Sequence, residues 1–380
     1  MLVSDLCRAM QSIAPLSLAE SWDNVGLLLG QESRELTGPV LLTIDLTERV
    51  LAEAVAAQAS AVVSYHPPLW DPIKRITADT PRGRILLGAI EHEIAVYSPH
   101  TALDATPGGI TDWLAEGLSG GSDGKIAGDS RALTPRLRRD ESQQCKIVTF
   151  VPEKDLEQVR NALASAGAGI IGNYRVCSFS TPGEGTFLGD ESTLPTVGQS
   201  GRLERAREIR LEMVCSRAAL AIAMEVLDRF HPYEEPAVDI YDLTPRPDRH
   251  AGPGRRLVLD QPATLAQLAD RLKKHLSISV VNIANTAATD QPLTHIGVCP
   301  GSGAALTAAA VSEQCQVFVT GEMKHHEMLE ALNGGLRLIL AGHTNTERGY
   351  LPRLAKRLNP LLPGIKTMVS QADRSPRIPV

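Results

Sequence analysis

The sequence predicts an α/β protein in which two similar parallel-sheet α/β halves form one core, with an α+β domain inserted between them. Three observations lead there. Strand-like apolar runs alternate with helical segments near both ends of the chain. Aromatic residues are only 4% of the 380, so the core is built from Ala, Val, Ile and Leu. The middle follows a different order and is bracketed by polar, Gly-rich stretches.

Taken in order, PVLLTIDL (39–46) reads as a buried strand, TERVLAEAVAAQA (47–59) as an Ala-rich helix, and AVVSY (61–65) as a strand ending at HPPLW. PRGRILLGAIEHE (81–93) is then a helix with Pro near its start, and IAVYSP (94–99) a strand ending at HTALDATPGG. Residues 119–144, with SGGSDGKIAGDS and RRDESQQ, read as linker. From Cys145 the order is strand, helix, strand, and then again strand, helix, strand up to Leu243, the split βαβ of a ferredoxin-like unit. TPRPDRHAGPGR (244–255) returns the chain to the first rhythm. There THIGVCPG (294–301), CQVFVTGE (315–322) and RLILAGH (337–343) are strands, ALTAAAVSEQ and KHHEMLEALNGG are helices, and residues 344–358 make one last long helix. The expected boundaries are 1–131 with 250–380 for the discontinuous core and 132–249 for the insert with its linkers.

The net charge of −6 and the lack of a long Lys/Arg block leave no electrostatic footprint for direct nucleic-acid binding. The longest charge-free stretch, 296–312, is broken by Pro300, Gly301 and Gly303, so no membrane span is expected. The first twenty residues carry Asp5 before any basic residue and do not read as a secretory signal. Six cysteines without a CxxC spacing favour a reducing, cytoplasmic setting.

In open parallel sheets, ligands bind at the carboxyl ends of strands, where loops converge. His66, His100 with Asp104, Glu322, and His343 with Glu347 all fall at such ends. His343 and Glu347 are four apart at the start of a predicted helix, so one face presents both to a single ion; His100 and Asp104 repeat the spacing. Mixed imidazole and carboxylate donors suit Zn, Mn, Fe or Co, against the alternative of helix caps and satisfied core polar groups. Trp22, Asp23 and Asn24 read either as a capping turn or as substrate contacts. GPGR (252–255) and CPGSG (299–303) read either as phosphate cradles or as tight turns.

SWDNVGLLLG (21–30), SYHPPLW (64–70), YSPHTALDATPGG (97–109), HPYEEPAVDIY (231–241), CPGSG (299–303), TGEMKHHEMLEA (320–331) and AGHTNTE (341–347) together resemble the GTP cyclohydrolase I type 2 homologues, also called the NGG-interacting-factor-like family. The resemblance runs along nearly the whole chain. It implies a site for up to two divalent metal ions per subunit between the two halves, in subunits that assemble into a homohexameric ring. His66, Asp104, His343 and Glu347 fall on the family's ligand positions. Tyr65 stands where many members have a second His, and a neutral phenol is a poor ligand, so filling of both sites is open. Glu322 and His326 match polar positions that orient ligands or move protons; for Lys324, His325 and His326 an exposed first helical turn is the alternative. In the insert, HPYEEP resembles PII-like and copper-tolerance-like modules, so His231, Tyr233, Glu234 and Glu235 either contact a small effector or close a turn.

The implied activity is that of a metal-dependent, GTP cyclohydrolase-like hydrolase using metal-activated water on a nucleotide or related ring. The alternative is a non-enzymatic metal-binding or regulatory scaffold.

Overall fold

The short apolar runs of the N-terminal half become strands buried on both faces. In the computed structural model, which describes residues 1–138, 140–285 and 291–377, Val40–Thr43, Ala61–Ser64 and Ala95–Ser98 lie parallel and adjacent. Thr367–Val369 extends this sheet in parallel beside Val40–Thr43, and Gly26–Leu29 closes the other edge antiparallel to Ala95–Ser98. Successive strand residues point to opposite faces. Val40, Leu42 and Val63 therefore enter one apolar cluster, while Leu41, Val62 and Val96 enter another. Helices Glu48–Ala56 and Pro81–Glu91 cover the second cluster with Val50, Leu51, Ala54, Ile85 and Ala89. Their starts are set by Thr47 and Thr80, whose hydroxyls accept from the N–H groups of Val50 and Gly83.

The C-terminal half repeats the scheme. Leu293–Val298, Val317–Thr320 and Arg337–Leu340 are parallel neighbours. Val317, Val319 and Ile339 join the same cluster as Val40 and Val63, whereas Phe318 and Leu338 turn away to Ala310 and Ala331. One core thus holds both halves. Helices Val3–Ile13, Ile110–Ser119, Leu265–Leu276 and Leu351–Leu358 add Leu6, Leu114, Leu268 and Leu354 to it.

Three expectations are corrected. The sheets are mixed, because Asn282–Ala284, Arg255–Ala263 and Gly128–Ala132 add antiparallel strands to the second one. These strands are partly exposed and lack the continuous apolar run that marks a strand buried on both faces. For that reason residues 128–132, read as linker, are a sheet edge. The last helix is two, Asn345–Arg348 and Leu351–Leu358. At the break, Gly349 lies so close to Trp113 that a Cβ would come within 2.6 Å of the indole, and Pro352 sits in the first turn of the second helix.

The chain divides into two compact units, Met1–Arg136 with Asp248–Val380, and Leu137–Pro247. The second, taken by itself, is a four-stranded antiparallel sheet in the order Val238–Asp242, Cys145–Val151, Leu203–Cys215, Phe179–Leu188. Helices Leu156–Ser165 and Arg217–Phe230 contribute Val159, Leu163, Ala223 and Leu227 to its core.

Candidate metal centre

The strand ends of the larger unit bring three donors together. His66 follows Ala61–Ser64, His343 follows Arg337–Leu340, and Glu347 lies in the short helix Asn345–Arg348. His343 Nε2 stands 3.3 Å from Glu347 Oε1, and His66 Nε2 stands 3.6 Å from Glu347 Oε2. One ligand atom from each residue lies within 4.8 Å of the other two. Glu347 is 1% exposed, and its Oε2 has no hydrogen-bond partner. Leaving a buried carboxylate oxygen unpaired costs about 1–3 kcal/mol or more. A cation between the imidazoles and this oxygen removes that cost, so two imidazoles and one carboxylate fit a divalent ion.

Each histidine in this region carries a carboxylate on its other ring nitrogen. His66 Nδ1 is 2.8 Å from Asp45 Oδ1, His343 Nδ1 is 3.0 Å from Glu322 Oε1, and His100 Nδ1 is 2.8 Å from Asp23 Oδ1. Such a partner fixes the tautomer with the proton on Nδ1 and leaves the Nε2 lone pair for a metal. Burial disfavours the imidazolium of His66, yet the Asp45 and Glu347 carboxylates outweigh it and push the pKa up to about 10. Without an ion the site therefore holds a proton where the ion would bind. Burial raises the Glu322 carboxyl, but its hydrogen bond to His343 and the Arg377 guanidinium, 2.9 Å from Oε2, hold it below the ordinary range.

Beside the trio, the Tyr65 hydroxyl donates to Asp104 Oδ1 at 2.8 Å. Burial, reinforced by the charges of Asp104 and Glu347, raises the phenol well above its usual range, so Tyr65 is a neutral donor. Asp104 is pushed up to about 7, chiefly by burial and further by Glu347, against the lowering effect of His100, Tyr65 and His66. The Cys299 thiol is raised by burial and by the Asp104 and Glu347 charges, which keeps it protonated. The spacing of His100 and Asp104 falls within the helix His100–Ala105, but His100 is turned to Asp23.

The CPGSG loop closes against the trio. A Cβ on Gly301 would stand 2.7 Å from Glu347 Oε1 and 3.0 Å from His343 Nε2, and its φ is +60°. Only glycine permits this approach. The Gly301 N–H donates to Thr346 Oγ1 and the Gly303 N–H to Thr320 Oγ1, so these amides are not free for a phosphate. CPGSG is a tight turn. GPGR likewise serves Arg255, which is 1% exposed and donates to Asp112 and to the carbonyls of Gly252, Gly254, Ala105 and Thr106.

The other sequence candidates are distributed differently. His326 is exposed in the first turn of His325–Asn333, with the His325 ring as its aromatic neighbour. Asp23 accepts from the N–H and hydroxyl of Thr101, which makes it a cap for the helix His100–Ala105. Asn24 donates to the Leu69 carbonyl. In the smaller unit, His231 is buried between the Phe150 carbonyl and the Tyr233 N–H, and Tyr233, Glu234 and Glu235 line a cavity of about 590 Å³. Asp45 and Cys299 were not singled out from the sequence. Asp45 follows the strand Val40–Thr43 as His66 follows Ala61–Ser64, which is the signal that was available.

The family model described as Duf34/NIF3 (NGG1p interacting factor 3) matches residues 1–376. The chain is 34% identical over 349 residues to the GTP cyclohydrolase 1 type 2 homolog of Halalkalibacterium halodurans, covering 92% of this chain and 90% of that protein. It is 32% identical over 375 residues to NIF3-like protein 1 of Homo sapiens, covering 98% and 90%. The crystal structure of a Bacillus cereus protein related to NIF3 superposes with a TM-score of 0.66 at 30% identity, over 100% of this chain and 99% of that one. With a shared fold along nearly its entire length and identities above 30%, the chain belongs to the Duf34/NIF3 family.

Proposed function

We propose that the protein is a divalent-metal-dependent hydrolase of the GTP cyclohydrolase type, acting on the ring of a nucleotide or a related compound. The observation that carries this reading is the Glu347 carboxylate, buried and with no hydrogen bond to Oε2, between the Nε2 atoms of His66 and His343. A divalent ion held by these three residues would supply Lewis acidity and a water nucleophile at neutral pH. Asp104 and Tyr65 stand beside them as candidates for a second ion, and the neutral phenol argues that this position is the weaker one.

Asp45 and Glu322 orient the two imidazoles. Glu322, partly exposed beside His343, is also the proposed acceptor of a proton from a reacting water, on its position at the site. His326 is the next candidate for that role. Leu137–Pro247 is read as a ferredoxin-like module, on its strand order and its two helices. A homohexameric ring and a cytoplasmic location complete the reading; they rest on the family resemblance and on the cysteine usage.

The test is a hydrolysis screen of nucleotides and pterins with protein restored in turn with Zn, Mn, Fe and Co. Turnover is expected, and Glu322→Gln, assayed at a metal concentration that keeps its site filled, should lower it about 10²–10⁴-fold. No turnover with any metal, together with reversible metal uptake, would establish the metal-binding scaffold instead. Undiminished turnover in Glu322→Gln would pass the proton-transfer role to His326.

A further inference from the structure

Trp22 and Trp70 are exposed at 62% and 47%, whereas the third tryptophan, Trp113, is buried. An indole left in water forgoes the burial that large apolar side chains ordinarily gain on folding. These two touch each other, with ring centroids 5.6 Å apart, and both meet the His100 ring, at 6.2 and 5.4 Å. His100 in turn stands 5.5 Å from the His66 ring. Aromatic surface therefore runs from solvent to the donor cluster, with one imidazole between.

The turns that carry the indoles are fixed. Asp23, next to Trp22, is bound by His100 and Thr101, and Asn24 donates to the carbonyl of Leu69, next to Trp70. Two indoles already in mutual contact lose less entropy on binding a flat partner than two separate side chains would. His100, its Nδ1 turned to Asp23, places a polar ring against both indoles. That polarity suits the edge of a heterocycle better than a hydrocarbon ring.

We propose that Trp22 and Trp70 form a stacking platform for a planar heteroaromatic ring, whose edge is thereby presented to the His66, His343 and Glu347 cluster. The direction of presentation rests on the hydrolase reading; the platform itself rests on the exposed rings and their contacts with each other and with His100. A second copy of this chain is the competing occupant of the two indoles.

Binding is measured by equilibrium dialysis with GTP, adenosine and pterin, with tripolyphosphate as the ringless probe, on the full chain. At least one ring compound is expected to bind. Trp22→Ala and Trp70→Ala should each weaken its binding by about 5- to 150-fold, the range of base stacking on aromatic side chains. Neither should change tripolyphosphate binding, and Trp22→Phe and Trp70→Phe should recover most of the loss. Failure of every ring compound to bind would overturn the proposal. So would Ala variants that bind as the wild type does, or that weaken tripolyphosphate equally, or that change the oligomeric state and leave ring binding alone. Ring binding that depends on the tryptophans, with no turnover under any metal, would sink the hydrolase reading and leave the platform standing. Turnover and ring binding unchanged in both Ala variants would do the reverse.

Discussion

Asp45 and Glu322 decide how the imidazoles face the candidate metal. A carboxylate on Nδ1 raises the basicity of the ring and prevents it from turning its N–H toward the ion. Asp45→Asn keeps the shape and removes the charge, so metal affinity should fall about 10- to 100-fold while the melting temperature changes little. Titration with a competing chelator gives the number; unchanged affinity would mean that Asp45 is only a surface partner of His66. Protons compete at the same place. His66, with its pKa pushed up to about 10, is an imidazolium at pH 7 without the ion, and it must lose that proton to coordinate. Affinity should therefore rise with pH by about tenfold per unit or more below that pKa, with proton release visible in calorimetry in buffers of different ionisation enthalpy. A flat pH profile from 6 to 8 would show that His66 carries no proton for the ion to displace. The ligand residues were legible because strand ends collect functional groups; Asp45 was missed because PVLLTIDL reads as one strand through Leu46, whereas the strand ends at Thr43 and leaves Asp45 just beyond it.

Buried strands were legible for a physical reason, and edge strands were hidden for the same one. Val40–Thr43 and Val317–Thr320 are buried on both faces and read as unbroken apolar runs. Gly128–Ala132 has one buried position at its end and otherwise polar or small residues, so it passes for linker until its pairing with Arg255–Ala263 is seen. The break after Arg348 did have a sequence signal in Pro352, which lies in the first turn of the second helix; the close approach of Gly349 to Trp113, more than two hundred positions away along the chain, did not. Arg255 shows how such distant elements are tied. Its guanidinium joins the start of its own strand to Asp112 in helix Ile110–Ser119 and to the carbonyls that end helix His100–Ala105. Arg255→Leu strands those carbonyls and the Asp112 carboxylate, so unfolding stability should drop by about 3 kcal/mol. Urea denaturation checks this, and a loss under about 1 kcal/mol would show that water replaces the guanidinium there.

At the scale of the molecule, the candidate site draws on both ends of the chain, His66 from the first half and His343 with Glu347 from the second, and none of it comes from Leu137–Pro247. Removing residues 137–247 and joining the ends through a short Gly-rich linker should leave a folded unit that still retains metal. Circular dichroism and elemental analysis read the outcome; a chain that no longer folds would show that the insert is part of the core. Replacing His343 and Glu347 together by Ala tests the central claim most directly, with metal content measured after purification without added metal and again after reconstitution. The wild-type chain should hold about one divalent ion or more, and the double variant almost none at an unchanged oligomeric state, because one donor is partly exposed and the other is held in a four-residue helix at a strand end. A double variant that keeps the wild-type metal content would contradict the assignment of His66, His343 and Glu347 as the metal centre.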